Sequence, residues 1–430
     1  MNEEGHSACE SRADAVIIGG GIIGCAAAWW LARAGMRVQL FEKGRIGGEQ
    51  SGRNWGWIRR IGRDGAEIPL ATRALALWPR LRELLGAETG FAACGLAYLC
   101  KTEAEVEARA AWLAEHGGQA GDDIRMLSAR QAQELFPEAS GNFRGALFAA
   151  GDGRAEPLMA TRAFAKGARD AGARIAEGCA VREVLSAGGA VEGILSERGE
   201  VRAPVVILAG GVWSRLLCDR LGLRLPQLGV LNSVMHAEAL SGAPEVVAGG
   251  GEYAFRRKAD GGYVIAHWKL SETLPSPQHL RFAWDFLPAL RENWRQLPVR
   301  MAWPFPPWAA PARWREGART PFERARELDP RPSRRILNRA LAALKRDFPV
   351  FEGVRIRRCQ AGVIDVLPDV LPVIDAACAP RGLILATGFS GHGFGIGPAA
   401  AEAVAALALG REAAVDLAPF TLARLGRSRA

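Results

Sequence analysis

The sequence has no Cys-x-x-Cys pair among its eight cysteines. Zinc modules and thioredoxin-type redox motifs are excluded by that absence. Free, mostly buried thiols at Cys9, Cys25, Cys94, Cys100, Cys179, Cys218, Cys359 and Cys378 fit a reducing, cytoplasmic setting. Long apolar runs are nearly absent. The one candidate, Val16 to Ala34, holds four glycines near its start and Arg33 near its end. No transmembrane helix is expected from it. The first fifteen residues are mixed polar, so no secretory signal is expected either. Lysine is scarce, at six of 55 basic residues, which leaves a net charge of +9 carried by arginine. Guanidinium groups pair with phosphates and carboxylates through two hydrogen bonds at once. An anionic cofactor or acidic partner would suit that balance, as would a plain solvated surface. The basic residues are scattered and no aromatic-basic run occurs, so no nucleic acid is expected as a partner. Neither a catalytic triad nor a carboxylate pair stands out.

What is present is a globular composition, with 49% hydrophobic residues and a mean hydropathy of zero. At 430 residues the chain suits two domains. Ala15-Val16-Ile17-Ile18 reads as a buried strand and runs directly into Gly19-Gly20-Gly21-Ile22-Ile23-Gly24. Cys25 to Ala34 reads as a helix and Arg37 to Phe41 as a second strand, ended by Glu42 eighteen residues after Gly24. Each part has a physical task in binding a dinucleotide. Gly19 permits the tight turn, Gly21 lets a pyrophosphate reach the backbone, and Gly24 lets helix and strand pack closely. The N–H groups of Ile22 and Ile23 open the helix, whose positive end favours phosphate. Glu42 can accept from ribose hydroxyls, and its charge argues against a 2′-phosphate.

After Lys43 comes a glycine-rich polar loop, Gly44 to Asn54, leading into Trp55-Gly56-Trp57. Near the other end, Thr387-Gly388-Phe389-Ser390-Gly391-His392-Gly393-Phe394-Gly395-Ile396-Gly397-Pro398 precedes an alanine-rich helix, with Pro398 suited to its first turn. Together these runs resemble the D-amino acid oxidase superfamily, including glycine oxidase, D-amino acid dehydrogenase and sarcosine oxidase. The resemblance covers about 1–60, 155–215 and 355–410. It implies FAD as cofactor, contacted by Ser51, Arg53 and Asn54 in the loop, by Val181, by Ala209, Gly210 and Gly211 after the strand Val205 to Leu208, and by Gly388, Gly391, His392, Gly393, Phe394 and Gly395. It implies an α/β fold: a Rossmann-like FAD-binding domain from 1–75, 150–225 and 355–430, with an inserted α+β substrate domain from 76–149 and 226–354 built on a mixed or antiparallel sheet. Gly362 stands where sarcosine oxidases carry the cysteine that links flavin, so non-covalent FAD is expected. Val264 stands where they carry an oxygen-activating lysine, which tilts the expectation from oxidase toward dehydrogenase.

Tyr253 to His267 reads as a hairpin turning at Asp260-Gly261. By the resemblance its sheet roofs the flavin, making Arg256, His267 and Trp268 substrate candidates, with cross-strand packing the alternative for each. Relatives grip the substrate carboxylate with an arginine where this chain has Ile364. The neighbouring Asp365 either holds a cationic group of the substrate or caps a turn before Pro368. Trp55 and Trp57 alternate and so share a face if extended. They wall the flavin, cage an ammonium, or pack in the core. Residues 276–350 read as helices broken by a Trp- and Pro-rich loop, a lid, a dimer contact, a plain packed insertion or a docking surface at a membrane.

The resemblance implies an enzyme that oxidises the C–N bond of an amine or amino acid by hydride transfer to flavin, the imine then being hydrolysed. D-amino acids, N-alkyl amino acids, opines and basic amines are candidate substrates. Oxygen, a quinone or a partner protein would accept the electrons. The alternative is a flavin-bearing subunit of a larger electron-transfer complex, inactive alone. A cytoplasmic location is expected, with peripheral contact at the inner membrane face left open.

Overall fold

The protein is described by a computed structural model over residues 10–315 and 318–426. Cys9 and the polar stretch 1–9 lie outside the described residues.

Two sheets organise the chain. The smaller has six strands in the order Val373–Asp375, Leu383–Thr387, Val205–Leu208, Ala15–Ile18, Val38–Phe41, Arg174–Ala176. All neighbours run parallel except the first pair. Every residue of Ala15–Ile18 and Val38–Phe41 is buried, as a parallel sheet covered on both faces requires. One face packs on the helices Ile22–Arg33, Pro157–Asp170 and Gly393–Ala408 through Ile17, Leu40, Trp29, Phe164 and Val404. The other packs through Val16, Ile18 and Leu208 on the three-stranded sheet Val181–Ala187, Ala190–Ser196, Gly199–Arg202 and the helix Ser214–Arg220.

The larger sheet has nine strands and is mostly antiparallel. The hairpin read from the sequence is there: Tyr253–Arg257 pairs antiparallel with Tyr263–Ala266. The two faces of this sheet differ. Tyr253, Phe255 and Tyr263 point to the helix Arg334–Asp347 and to Phe348 and Phe351. Tyr98 and Ala254 point to the opposite side, among Trp55, Trp57 and Trp268. Alternation along a strand produces this division. Ile356–Val366 also belongs to the large sheet, pairing with Leu228–Ala237 from Val366↔Leu228 to Ile356↔Ala237. The segment 355–430 was expected to lie wholly in the cofactor domain. Its first strand instead belongs to the other sheet, and the chain crosses over before Val373.

No helix among the described residues is long and apolar enough to cross a membrane. Of the seven described cysteines, four are buried and three partly so.

Candidate active site

A cavity of about 520 Å³ is lined from both sheets. It begins at the glycine turn after Ala15–Ile18. Gly19 has φ +113°, and a Cβ there would come within 2.4 Å of the Ala209 carbonyl oxygen. At Gly24 a Cβ would meet the Gly19 carbonyl oxygen at 2.0 Å, so helix and turn touch only because that side chain is missing. Gly24 itself does not line the cavity, in keeping with a packing task. Gly21, Ile22 and Ile23 do line it. The first turn of the helix holds no acidic residue, which leaves its positive end to an anion. The Ser51 hydroxyl accepts from the Ile22 N–H at 2.9 Å and stands beside Gly21 as the lid of this cradle.

Glu42 closes the cradle on the next strand. Its carboxylate accepts from the Gly20 and Gly44 N–H groups, both at 2.7 Å. Burial nevertheless pushes its pKa up to about 7. Lys43 pairs with Glu49 at 2.7 Å and lies 4.4 Å from the centre of the Trp213 ring. Arg53 binds Asp329 at 2.6 Å and the Ala361 carbonyl at 3.1 Å. Asn54 accepts from the Gly56 N–H at 2.7 Å, turning the chain toward the tryptophans. Val181, Ala209, Gly210 and Gly211 complete the wall.

Further along, Gly391, His392, Gly393, Phe394 and Gly395 line the cavity at the start of the helix Gly393–Ala408. That helix also has no acid in its first turn. Pro398, expected in the first turn, is the sixth helical residue. The glycines before it are already helical, and a Cβ at Gly397 would press on Ile22 at 3.2 Å, so the two helices pack closely there. Gly388 was expected at the cofactor but does not line the cavity. It packs on Leu367, where a Cβ would come within 2.2 Å. His392 Nδ1 lies 2.9 Å from the fully buried Glu67 carboxylate, which also faces Arg63 at 3.5 Å. Burial works to raise Glu67, but the Arg63 guanidinium and the His392 imidazole that faces it hold it down at about 2, while burial holds His392 below its usual value.

The far end is aromatic. Trp55 and Trp57 have ring centres 5.5 Å apart at 67°. Trp268 lies 5.7 Å from Trp57 and 4.8 Å from Tyr98. All four line the cavity. Trp55 Nε1 donates to Asn232 at 2.9 Å, which fixes its tilt. Sequence reasoning missed Tyr98, Asn232, Arg59 and Arg109, which also line this end. Only the pairing of Leu96–Cys100 into the large sheet brings Tyr98 here, and no local pattern marks that.

Three expected substrate residues lie elsewhere or are otherwise engaged. His267 does not line the cavity. Its Nδ1 accepts from the Lys269 and Leu270 N–H groups at 3.2 and 3.1 Å, and burial lowers its pKa to about 4. Adjacent residues face opposite ways, so Trp268 takes the cavity side and His267 the core. Arg256 is 1% exposed. It pairs with Glu156 at 2.8 Å and donates to the Trp55 carbonyl, bracing the tryptophan loop from behind. Asp365 lies in the cavity wall but is 1% exposed. It accepts from the Gly388 N–H at 2.8 Å and from Gln227 at 3.0 Å. These two bonds tie the strand Ile356–Val366 to Gly388 and Gln227. Its neighbour Ile364 lines the cavity as well.

A glycine cradle for phosphates, an acid on the next strand and a second helix start along one cavity are one arrangement. Residues 14–407 match the family described as FAD dependent oxidoreductase. The chain belongs to this DAO family. Among curated relatives it is 30% identical over 266 residues to 4-methylaminobutanoate oxidase (formaldehyde-forming) of Paenarthrobacter nicotinovorans, covering 61% of this chain and 31% of that protein. It is 31% identical over 221 residues to glycine oxidase of Bacillus licheniformis, covering 49% of this chain and 58% of that one. The chain thus spans less than two thirds of the length of these relatives. The solved L-amino acid deaminase from Proteus myxofaciens, in complex with anthranilate, superposes with a TM-score of 0.92 at 29% identity, covering 97% of this chain and 95% of that one. Family membership accounts for the cradle: a dinucleotide flavin is the ligand its residues fit.

Proposed function

We propose that this chain is an FAD-dependent oxidoreductase of amines or amino acids, breaking the C–H bond beside nitrogen. The observation that carries the reading is the continuity of the cavity. It runs from the phosphate cradle at Gly19–Gly21, past the start of the helix Gly393–Ala408, to the tryptophans. Bound FAD would supply the hydride acceptor. Every other task falls to the chain. The positive end of the C-terminal helix favours the negative charge that gathers nearby on reduction. Trp55, Trp57 and Trp268 exclude water and hold the apolar body of the substrate in the cavity. The amine must be neutral, so that its lone pair can form the C=N bond as the hydride leaves. His392 suits that step: Nδ1 carries the proton that Glu67 accepts, and Nε2 is left as the ring's acceptor for the ammonium proton. The imine then leaves for hydrolysis. No cysteine lines the cavity among the described residues, which supports a non-covalent flavin that acid precipitation releases.

The test is an absorbance spectrum of the purified protein, followed by anaerobic addition of amines and amino acids. Flavin bands bleached by one of them support the reading. A colourless protein that does not take up FAD would overturn it. A second reading, a flavin subunit working only within an assembly, draws on the exposed residues Leu280, Trp284, Met301 and Trp303, each about four-fifths exposed. Bleaching by dithionite but by no amine, with partner chains co-purifying, would favour it.

A further inference from the structure

The aromatic end of the cavity holds two guanidinium groups that no carboxylate among the described residues neutralises. Arg109, on the helix Glu103–Ala120, lies 4.9 Å from the centre of the Tyr98 ring. Arg59 lies 5.9 Å from the same ring and, among the described residues, donates to the Ile61 carbonyl at 2.7 Å. Neither has a carboxylate within ion-pair distance among the described residues. Their neighbours Arg60 and Arg63 do, paired with Asp152 and Glu67.

The acidic groups of the same cavity are all engaged elsewhere. Glu42 is held by backbone N–H groups, Glu49 by Lys43 and Trp213, and Asp365 by Gly388 and Gln227. The cavity residues of the strand Ile356–Val366, namely Gly362, Val363, Ile364 and Asp365, present no cation. A substrate entering this end therefore meets indole faces and two free positive charges, with no negative group to receive a second cation.

We infer that Arg59 and Arg109 are the specificity-determining residues of the substrate pocket. They grip a carboxylate across the face of Tyr98, while Trp55, Trp57 and Trp268 hold the apolar body and the amine-bearing carbon. The substrate is then an amino acid, with a neutral or aromatic body, and not a diamine or a simple amine. A planar guanidinium matches a carboxylate through two parallel hydrogen bonds, and an ammonium rests well on an indole face. This inference deepens the proposed function and rests on it for the chemistry, but binding tests it separately.

The holoenzyme is titrated with benzoate and with benzylamine, matched rings carrying opposite charge, and binding is followed by tryptophan fluorescence and by the flavin spectrum. Benzoate is expected to bind at least tenfold more tightly. Arg109→Gln should weaken benzoate roughly 10- to 100-fold, in line with about 1.5–3 kcal/mol for a charged hydrogen bond, and leave benzylamine unchanged. Arg109→Lys should restore part of the loss, and Arg59→Gln should act in the same direction. With an amino acid that bleaches the flavin, Arg109→Gln should raise KM more than it lowers kcat. Benzylamine binding as well as benzoate, or both Gln variants binding benzoate like the parent, would overturn the inference. Failure of every amine to bleach the flavin would instead count against the proposed function and leave the binding result standing.

Discussion

At the scale of single residues, the glycine turn is the most demanding part of the site. A methyl at Gly24 has nowhere to go, because the Gly19 carbonyl would lie 2.0 Å from it. Gly24→Ala is expected to cost about 1–3 kcal/mol through overpacking. The purified variant should melt earlier and retain less flavin, measured as the ratio of 450 nm to 280 nm absorbance. Such positions are legible in a sequence because only one residue type satisfies the backbone. Asp365, Arg256 and His267 are not legible in the same way. A polar residue in a strand reads alike whether it faces a ligand or completes a buried network, and sheet parity decides between them. Asp365 has a second consequence. Burial holds its carboxyl at about 6 against an ordinary 3.8. Between those pH values the folded chain keeps a proton that the unfolded chain has lost. The stability from this group is full below pH 3.8 and falls as pH rises to about 6, by on the order of 3 kcal/mol. Asp365→Asn removes the titration. The parent's melting temperature, minus the variant's, should decline across that window and level off above it. A constant difference would contradict the account.

At the scale of elements, the start of the helix Gly393–Ala408 and the segment carrying Arg63 and Glu67 act as one unit. Glu67 is fully buried, with His392 and Arg63 both facing it. Removing its charge strands a guanidinium that is 2% exposed. Glu67→Gln should therefore cost about 3–5 kcal/mol of stability. It should also lower the pKa of His392 further, since the carboxylate is what raises it. The acid limb of the kcat/KM profile should move to lower pH in the variant, and a profile that keeps its limb would separate His392 from catalysis. The Thr387-to-Pro398 run was readable as a ligand-binding turn from its glycines. Its partner Glu67 was not, because the two lie 325 residues apart in the chain and meet only through packing.

At the scale of the whole molecule, most of the exposed large hydrophobic residues fall between Leu280 and Phe305. The tryptophan density of that region was visible in the sequence, whereas its outward orientation depends on the fold. Replacing Leu280, Trp284, Met301 and Trp303 with polar residues should change stability by no more than about 0.5 kcal/mol at each position. Light scattering should report less self-association, and a large loss of stability would mean the strip is packed in solution. The two-sheet plan was legible in outline from where the family-like segments fall. The crossing of Ile356–Val366 to the large sheet was not, because an apolar strand pairs equally well with either neighbour until register is fixed.

The interleaving of the two sheets governs the order in which the protein can be made. The cofactor sheet draws its strands from Ala15 to Thr387, and the helix that completes the cavity ends at Ala408. During synthesis the first glycine turn leaves the ribosome hundreds of residues before the strands that flank it on one side. No short contiguous fragment holds the whole cavity, whose lining runs from Ile18 to Gly395. A nascent chain halted before residue 393 carries the phosphate turn without its far wall, and the cofactor can serve as a clamp only after the helix Gly393–Ala408 has emerged.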